Sequence, residues 1–81
     1  MSSSDVAYRV KLHASGRYAT VKQLGISLVE NVADGVYTYQ TLPEWMRERL
    51  AVLSMIVPPP PVNDIAGVGM RVDTDTFWLY P

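Results

Sequence analysis

The sequence predicts an α+β domain: an antiparallel sheet of about five or six strands packed on one amphipathic helix at about residues 42–56. Three observations predict it. Tyr8 to His13 alternates apolar and polar side chains, as a half-buried strand does. Apolar residues from Leu42 to Ile56 recur at three- and four-residue spacing. Two β-rich runs, Val68 to Val72 and Thr76 to Tyr80, close the chain on either side of Asp73, Thr74 and Asp75.

Taken in order, residues 1–5 form a loose tail and residues 6–81 a single small domain. Ser15-Gly16 marks a turn after the first strand. A two-residue hairpin loop there sets Val10 opposite Val21 and Leu12 opposite Ala19. The same register sets Arg9 opposite Lys22, Lys11 opposite Thr20 and His13 opposite Tyr18. One face of the hairpin is then apolar and the other basic.

Residues 24–33 support two readings. Val21, Leu24, Leu28 and Val32 fall at helical spacing, but Gly25 and the β-branched Ile26, Val29 and Val32 favour a strand. Asp34-Gly35 ahead of Val36 to Tyr39 is a type I′ hairpin signal. The preferred reading is strand, hairpin, strand. For the helix, Thr41 is the expected cap, Glu44 completes a capping box and Pro43 fits the first turn. Leu42, Trp45, Met46, Leu50, Leu53 and Ile56 form its apolar stripe, and Pro58 to Pro61 ends it. Gly67 and Gly69 mark a bend or bulge where the next strand begins.

Composition narrows the function. The 81 residues include seven Lys+Arg, eight Asp+Glu, one His and no Cys, with 48% hydrophobic residues. Without cysteine there is no disulfide framework, thiolate metal site or cysteine nucleophile. A net charge of -1 gives no global attraction to nucleic acid or an anionic membrane. The longest apolar run, Leu50 to Val57, is far short of the roughly 20 residues a membrane span requires. No basic and apolar leader opens the chain, so the expected location is the cytoplasm, with no membrane partner.

No catalytic or metal site is expected, and no cofactor. His13 is the lone histidine, with no acid or nucleophile marked beside it. Asp73 and Asp75 are explained by turn chemistry. Two surfaces remain. Arg9, Lys11, His13, Arg17, Tyr18 and Lys22 gather cations around an aromatic ring, a composition suited to anions or nucleic acid. Trp78, Tyr80, Tyr37 and Tyr39 exceed what one helix can cover, which suits an interface with a partner or a second copy. Arg49 joins that set, because it falls inside the helix's apolar arc and must snorkel, stack on Trp45 or pair with a carboxylate.

At Tyr37-Thr-Tyr39, Leu42-Pro-Glu-Trp-Met46, Leu50-Ala-Val-Leu53, Val68-Gly-Met-Arg71 and Thr76-Phe-Trp-Leu79 the chain resembles a group of small tailed-phage and prophage proteins. The resemblance covers roughly the C-terminal half and carries no catalytic or binding residue across. It implies a setting in which small proteins inhibit or redirect host machinery, block a defence system or assist the virion. The expected function is therefore a non-enzymatic phage-type interaction protein, a homodimer or larger, that binds and modulates a host or anti-phage defence protein. The alternatives are a small nucleic-acid-binding module using the basic hairpin, which the net charge disfavours, and a virion or assembly component.

Overall fold

Five strands and one α-helix, with a short 3-10 turn, form among the residues that this computed structural model describes, 6–26, 35–55 and 64–81. They are β1 (Val6–Leu12), β2 (Ala19–Ile26), β3 (Val36–Thr38), α1 (Glu44–Ser54), β4 (Gly69–Asp73) and β5 (Thr76–Leu79). The strands form one five-stranded sheet in the order β3-β1-β2-β5-β4, antiparallel throughout. The α+β architecture is the one the sequence predicts.

The β1–β2 hairpin has the expected register: Arg9 faces Lys22, Val10 faces Val21, Lys11 faces Thr20 and Leu12 faces Ala19. Its loop is wider than a two-residue turn. The strands end at Leu12 and Ala19, and the Gly16 N–H turns back to donate to the His13 carbonyl at 2.8 Å. Gly16 closes that turn with φ +73, a backbone that favours glycine.

Among the described residues β3 pairs with β1, Tyr8 opposite Tyr37 and Arg9 opposite Val36, and the expected hairpin through Asp34 lies outside the described residues. Gly35 adopts φ +82, and its carbonyl accepts from Val10 N–H at 2.7 Å, so the glycine serves the approach to β1. The pairing sets two large rings, Tyr8 and Tyr37, against the rim of the core. Residues 24–26 belong to β2, a strand as preferred; residues 27–34 lie outside the described residues.

The start of α1 also differs. Thr41 does not cap it; Pro43 is the N-cap, with no side-chain hydrogen bond. Leu42 is extended, with ψ 147, because a residue before proline is pushed out of the helical region, and Pro43, the N-cap itself, has ψ 146. Thr41 instead closes a 3-10 turn over Tyr39–Thr41, its hydroxyl oxygen accepting from Thr38 N–H at 2.9 Å. The helix ends at Ser54, and the proline run lies outside the described residues.

The core forms between α1 and one face of the sheet. Ala19 and Val21 from β2, Phe77 and Leu79 from β5, and Leu42, Met46, Leu50 and Leu53 from the helical side are all buried. Burying each leucine contributes roughly 1.5–3 kcal/mol. Gly69, with φ +145, lets β4 close on β5: a Cβ there would collide with the Trp78 carbonyl oxygen. A register shift between Arg71 and Asp73 adds a bulge further along β4.

Candidate functional site

Strand alternation decides what the outer face of the sheet carries. With Ala19 and Val21 buried toward α1, Tyr18, Thr20 and Lys22 point the other way. In the same way Phe77 and Leu79 point inward and Trp78 outward, where Trp78 faces Thr20 on one side and Met70 on the other. Arg9 and Lys11 join them across the β1–β2 register. One surface therefore holds both a cationic set and an aromatic set that are far apart in sequence.

The rings are in contact. His13 stacks on Tyr18 with centroids 4.5 Å apart and planes 19° apart. Tyr18 in turn stacks on Trp78 at 4.5 Å and 25°. Because this spacing is close to the distance between neighbouring strands, the rings stand on the sheet as a ladder crossing β1, β2 and β5. Among the described residues His13 forms its outer end, since β3 pairs with β1 only as far as Arg9. The ring of His13 is held by Ser15, whose N–H donates to Nδ1 at 3.1 Å and whose hydroxyl lies 2.8 Å from the same nitrogen. With Nδ1 accepting, the proton of the neutral ring belongs on Nε2.

The charges divide into two groups. Arg47 donates to the Gln40 and Leu42 carbonyls, Arg49 to those of Tyr80 and Trp45, and Arg71 to that of Thr74. These three hold the fold together. Arg9, Lys11, Arg17 and Lys22 make no side-chain hydrogen bond or ion pair with a described residue, and all four are exposed. Among the described residues Glu44 and Glu48 lie on α1, Asp64 lies before β4, and Asp73 and Asp75 flank the β4–β5 turn, where Asp73 faces Thr76 and Thr76 in turn faces Lys22. Asp73 accepts from Thr74 N–H at 2.8 Å and Asp75 from the Thr76 hydroxyl at 2.9 Å, which is turn chemistry.

The aromatic set read from the sequence splits. Trp78 belongs to the outer ladder. Tyr37 packs on the core, and Tyr39, its ring 6.1 Å from that of Tyr8, donates its hydroxyl to the Arg47 carbonyl. Burial, and secondarily the neighbouring Tyr39, pushes the Tyr8 hydroxyl pKa above its ordinary value. Tyr80 is pushed in the same direction, first by burial and then by the hydrogen bond and charge of Asp64. Arg49 lies over the Trp45 ring at 5.4 Å, so its guanidinium faces the fold's own groups. Met70 is an outer-face residue that sequence reasoning did not select; its place opposite Trp78 follows only from the β4–β5 register.

The described residues enclose no pocket, so the candidate site is a surface. Among them, no helix is long and apolar enough to cross a membrane. No protein-family model, curated protein or solved structure matches the chain.

Proposed function

We propose that the chain is a non-enzymatic interaction protein of the phage type, which engages a host or anti-phage defence factor in the host cytoplasm through the outer face of its sheet. The observation that carries the reading is the coincidence on one face of a stacked ring ladder and the cations that the fold does not use. Like charges set opposite each other, as at Arg9 and Lys22, cost stability unless an anion is shared between them. Aromatic and arginine side chains are also the groups that dominate binding surfaces. The resemblance of the C-terminal half to small phage proteins supplies the setting. Self-association belongs to the same proposal, since Trp78 is on the side of the sheet away from α1.

The test is affinity capture from bacterial lysate by the full chain, beside a Lys22→Glu variant and a Met55→Ser control on the helix side. Recovery of one defined component that Lys22→Glu loses and Met55→Ser retains supports the proposal. Equal recovery by all three proteins rejects the outer face as the working surface. Sedimentation equilibrium of the same proteins reads the oligomeric state.

A further inference from the structure

The outer face has a chemistry that narrows its partner. We infer that it binds single-stranded nucleic acid, the phosphates on Arg9, Lys11, Arg17 and Lys22 and the bases against the His13–Tyr18–Trp78 ladder. This rests on the preceding assignment of the outer face as the working surface and names its ligand.

Charge is the first argument. The net charge of -1 is a sum over the whole chain and not over this hairpin. Among the described residues, Arg47, Arg49 and Arg71 donate to backbone carbonyls and Glu44 and Glu48 lie on α1, whereas Arg9, Lys11, Arg17 and Lys22 are all on the β1–β2 hairpin. A ligand at the hairpin meets these four cations together, which is what phosphate neutralisation requires.

Spacing is the second argument. Arg9 and Lys22 are a directly opposed pair, and Lys11 lies two residues from Arg9 along β1, about 6.8 Å at the rise of an antiparallel strand. That separation is comparable with the distance between successive phosphates on an extended single strand.

The rings supply the third argument and decide between strand types. Base stacking on side-chain rings tolerates any sequence, because every base has a flat face, but it demands bases that are not already stacked in a duplex. In the ladder the inner ring faces are occupied by one another at 4.5 Å, and the end at His13 extends beyond β3 with no described residue stacked on it. A base adds to the stack at that end, while further bases lie along the ring edges beside Lys11. A flat sheet face offers nothing shaped to enter a duplex groove, so duplex contacts are limited to phosphates.

The experiment is fluorescence anisotropy of the full chain with mixed-sequence single strands of about 12 nucleotides. One arm uses RNA, a second DNA, and a third the matching duplex. Three or four neutralised phosphates give an affinity that falls about 20- to 50-fold between roughly 50 and 200 mM salt. Lys22→Gln lowers the salt slope by about 0.7. Loss of a stacking ring weakens binding about 5- to 150-fold. His13→Ala reads this effect at an exposed hairpin residue outside the core, and thermal melting confirms that the variant is folded. Preference for one of the two single-stranded arms identifies the strand chemistry.

Absence of binding at low salt overturns the inference, as does duplex binding equal to single-strand binding or indifference to His13→Ala. Should capture of a nuclease-resistant protein still be lost in Lys22→Glu, the outer face keeps its role and its partner is a protein. Should both capture and nucleic-acid binding ignore Lys22→Glu, the assignment of the face fails as well.

Discussion

The two faces of this one sheet are built by different rules. On the inner face Phe77 and Leu79 are buried against α1, and the nearby Arg49 and Arg71 donate to carbonyl oxygens. On the outer face the same hairpin carries Arg9, Lys11 and Lys22, which contribute nothing to the fold through described contacts, and a ring ladder that ends at His13 among the described residues. A sequence selected only for stability would not oppose Arg9 to Lys22. The contrast separates residues that hold the protein together from residues that the described contacts of the fold do not use, and substitutions on the two faces therefore have different expected consequences.

The largest expected effect is at Gly69. Its φ of +145 and the approach of the Trp78 carbonyl leave no room for a side chain, and the obstacle is backbone that cannot rotate away. Gly69→Ala is expected to cost about 4 kcal/mol or more and to separate β4 from β5. Chemical denaturation, with amide exchange along β5, reads this loss. A melting temperature near that of the wild type would mean the two strands are not held as closely as described.

Next in size is Arg49→Met. It removes donors from the Tyr80 and Trp45 carbonyls and a cation from the Trp45 ring. The expected cost is about 1–3 kcal/mol, most of it from the carbonyl left without its donor. At about 4–8 °C per kcal/mol for a domain of this size, a thermal melt resolves it. The same variant should leave outer-face binding unchanged. Loss of binding without loss of stability would move Arg49 into the interaction surface.

Alkaline pH gives a smaller effect tied to the inner and C-terminal tyrosines. Tyr8 and Tyr80 have hydroxyl pKa values raised above the unfolded value of about 10, chiefly by burial. In the alkaline window the unfolded chain has lost protons that the folded chain still holds. Stability is thus fully present below about pH 10 and falls as the pH rises through the folded values. Urea midpoints measured from about pH 9 to about pH 11 should decline for the wild type and decline less for Tyr8→Phe and Tyr80→Phe. Equal slopes in all three proteins would show that the two hydroxyls are not the cause.

The inner face was the more legible half of the sequence, and the reason is periodicity. Alternation around Phe77 and Leu79 matched the buried residues, alternation at Tyr8 to His13 gave the side each residue takes although Leu12 at the strand end is exposed, and the hairpin register followed from matching apolar partners. Three features escaped for local or non-local reasons. Proline at 43 displaced the helix start because it acts on the residue before it, an effect that outweighs the capping signal at Thr41. The pairing of β3 with β1 is a choice between distant strands, which an Asp-Gly turn signal does not settle. The outer ladder joins Tyr18 to Trp78 through the β2–β5 register, so the cationic and aromatic surfaces read separately from the sequence share one face only after folding. Arg49 shows the limit in another way: the stacking on Trp45 was within reach of the sequence, but the hydrogen bond to a backbone carbonyl 31 residues away in the chain was not.

The smallest expected change in stability discriminates best between the two faces. Lys22→Glu replaces a like-charge pair with an opposite pair across β1 and β2, opposite Arg9 and far from the core. Cross-strand pairs of this kind contribute roughly 0.2–1 kcal/mol, so the variant should be as stable as the wild type or slightly more so. If the outer face serves only as a solvated surface, that gain comes without any loss of function. If it holds an anionic ligand, the same substitution inverts a charge at the centre of the site and binding collapses while the melting temperature holds or rises. A fall in binding accompanied by an equal fall in stability would point instead to a structural role for Lys22. The opposition of a stability gain to a binding loss is the signature expected of a residue retained for its partner, and a paired melt and anisotropy titration on this one variant reads both quantities.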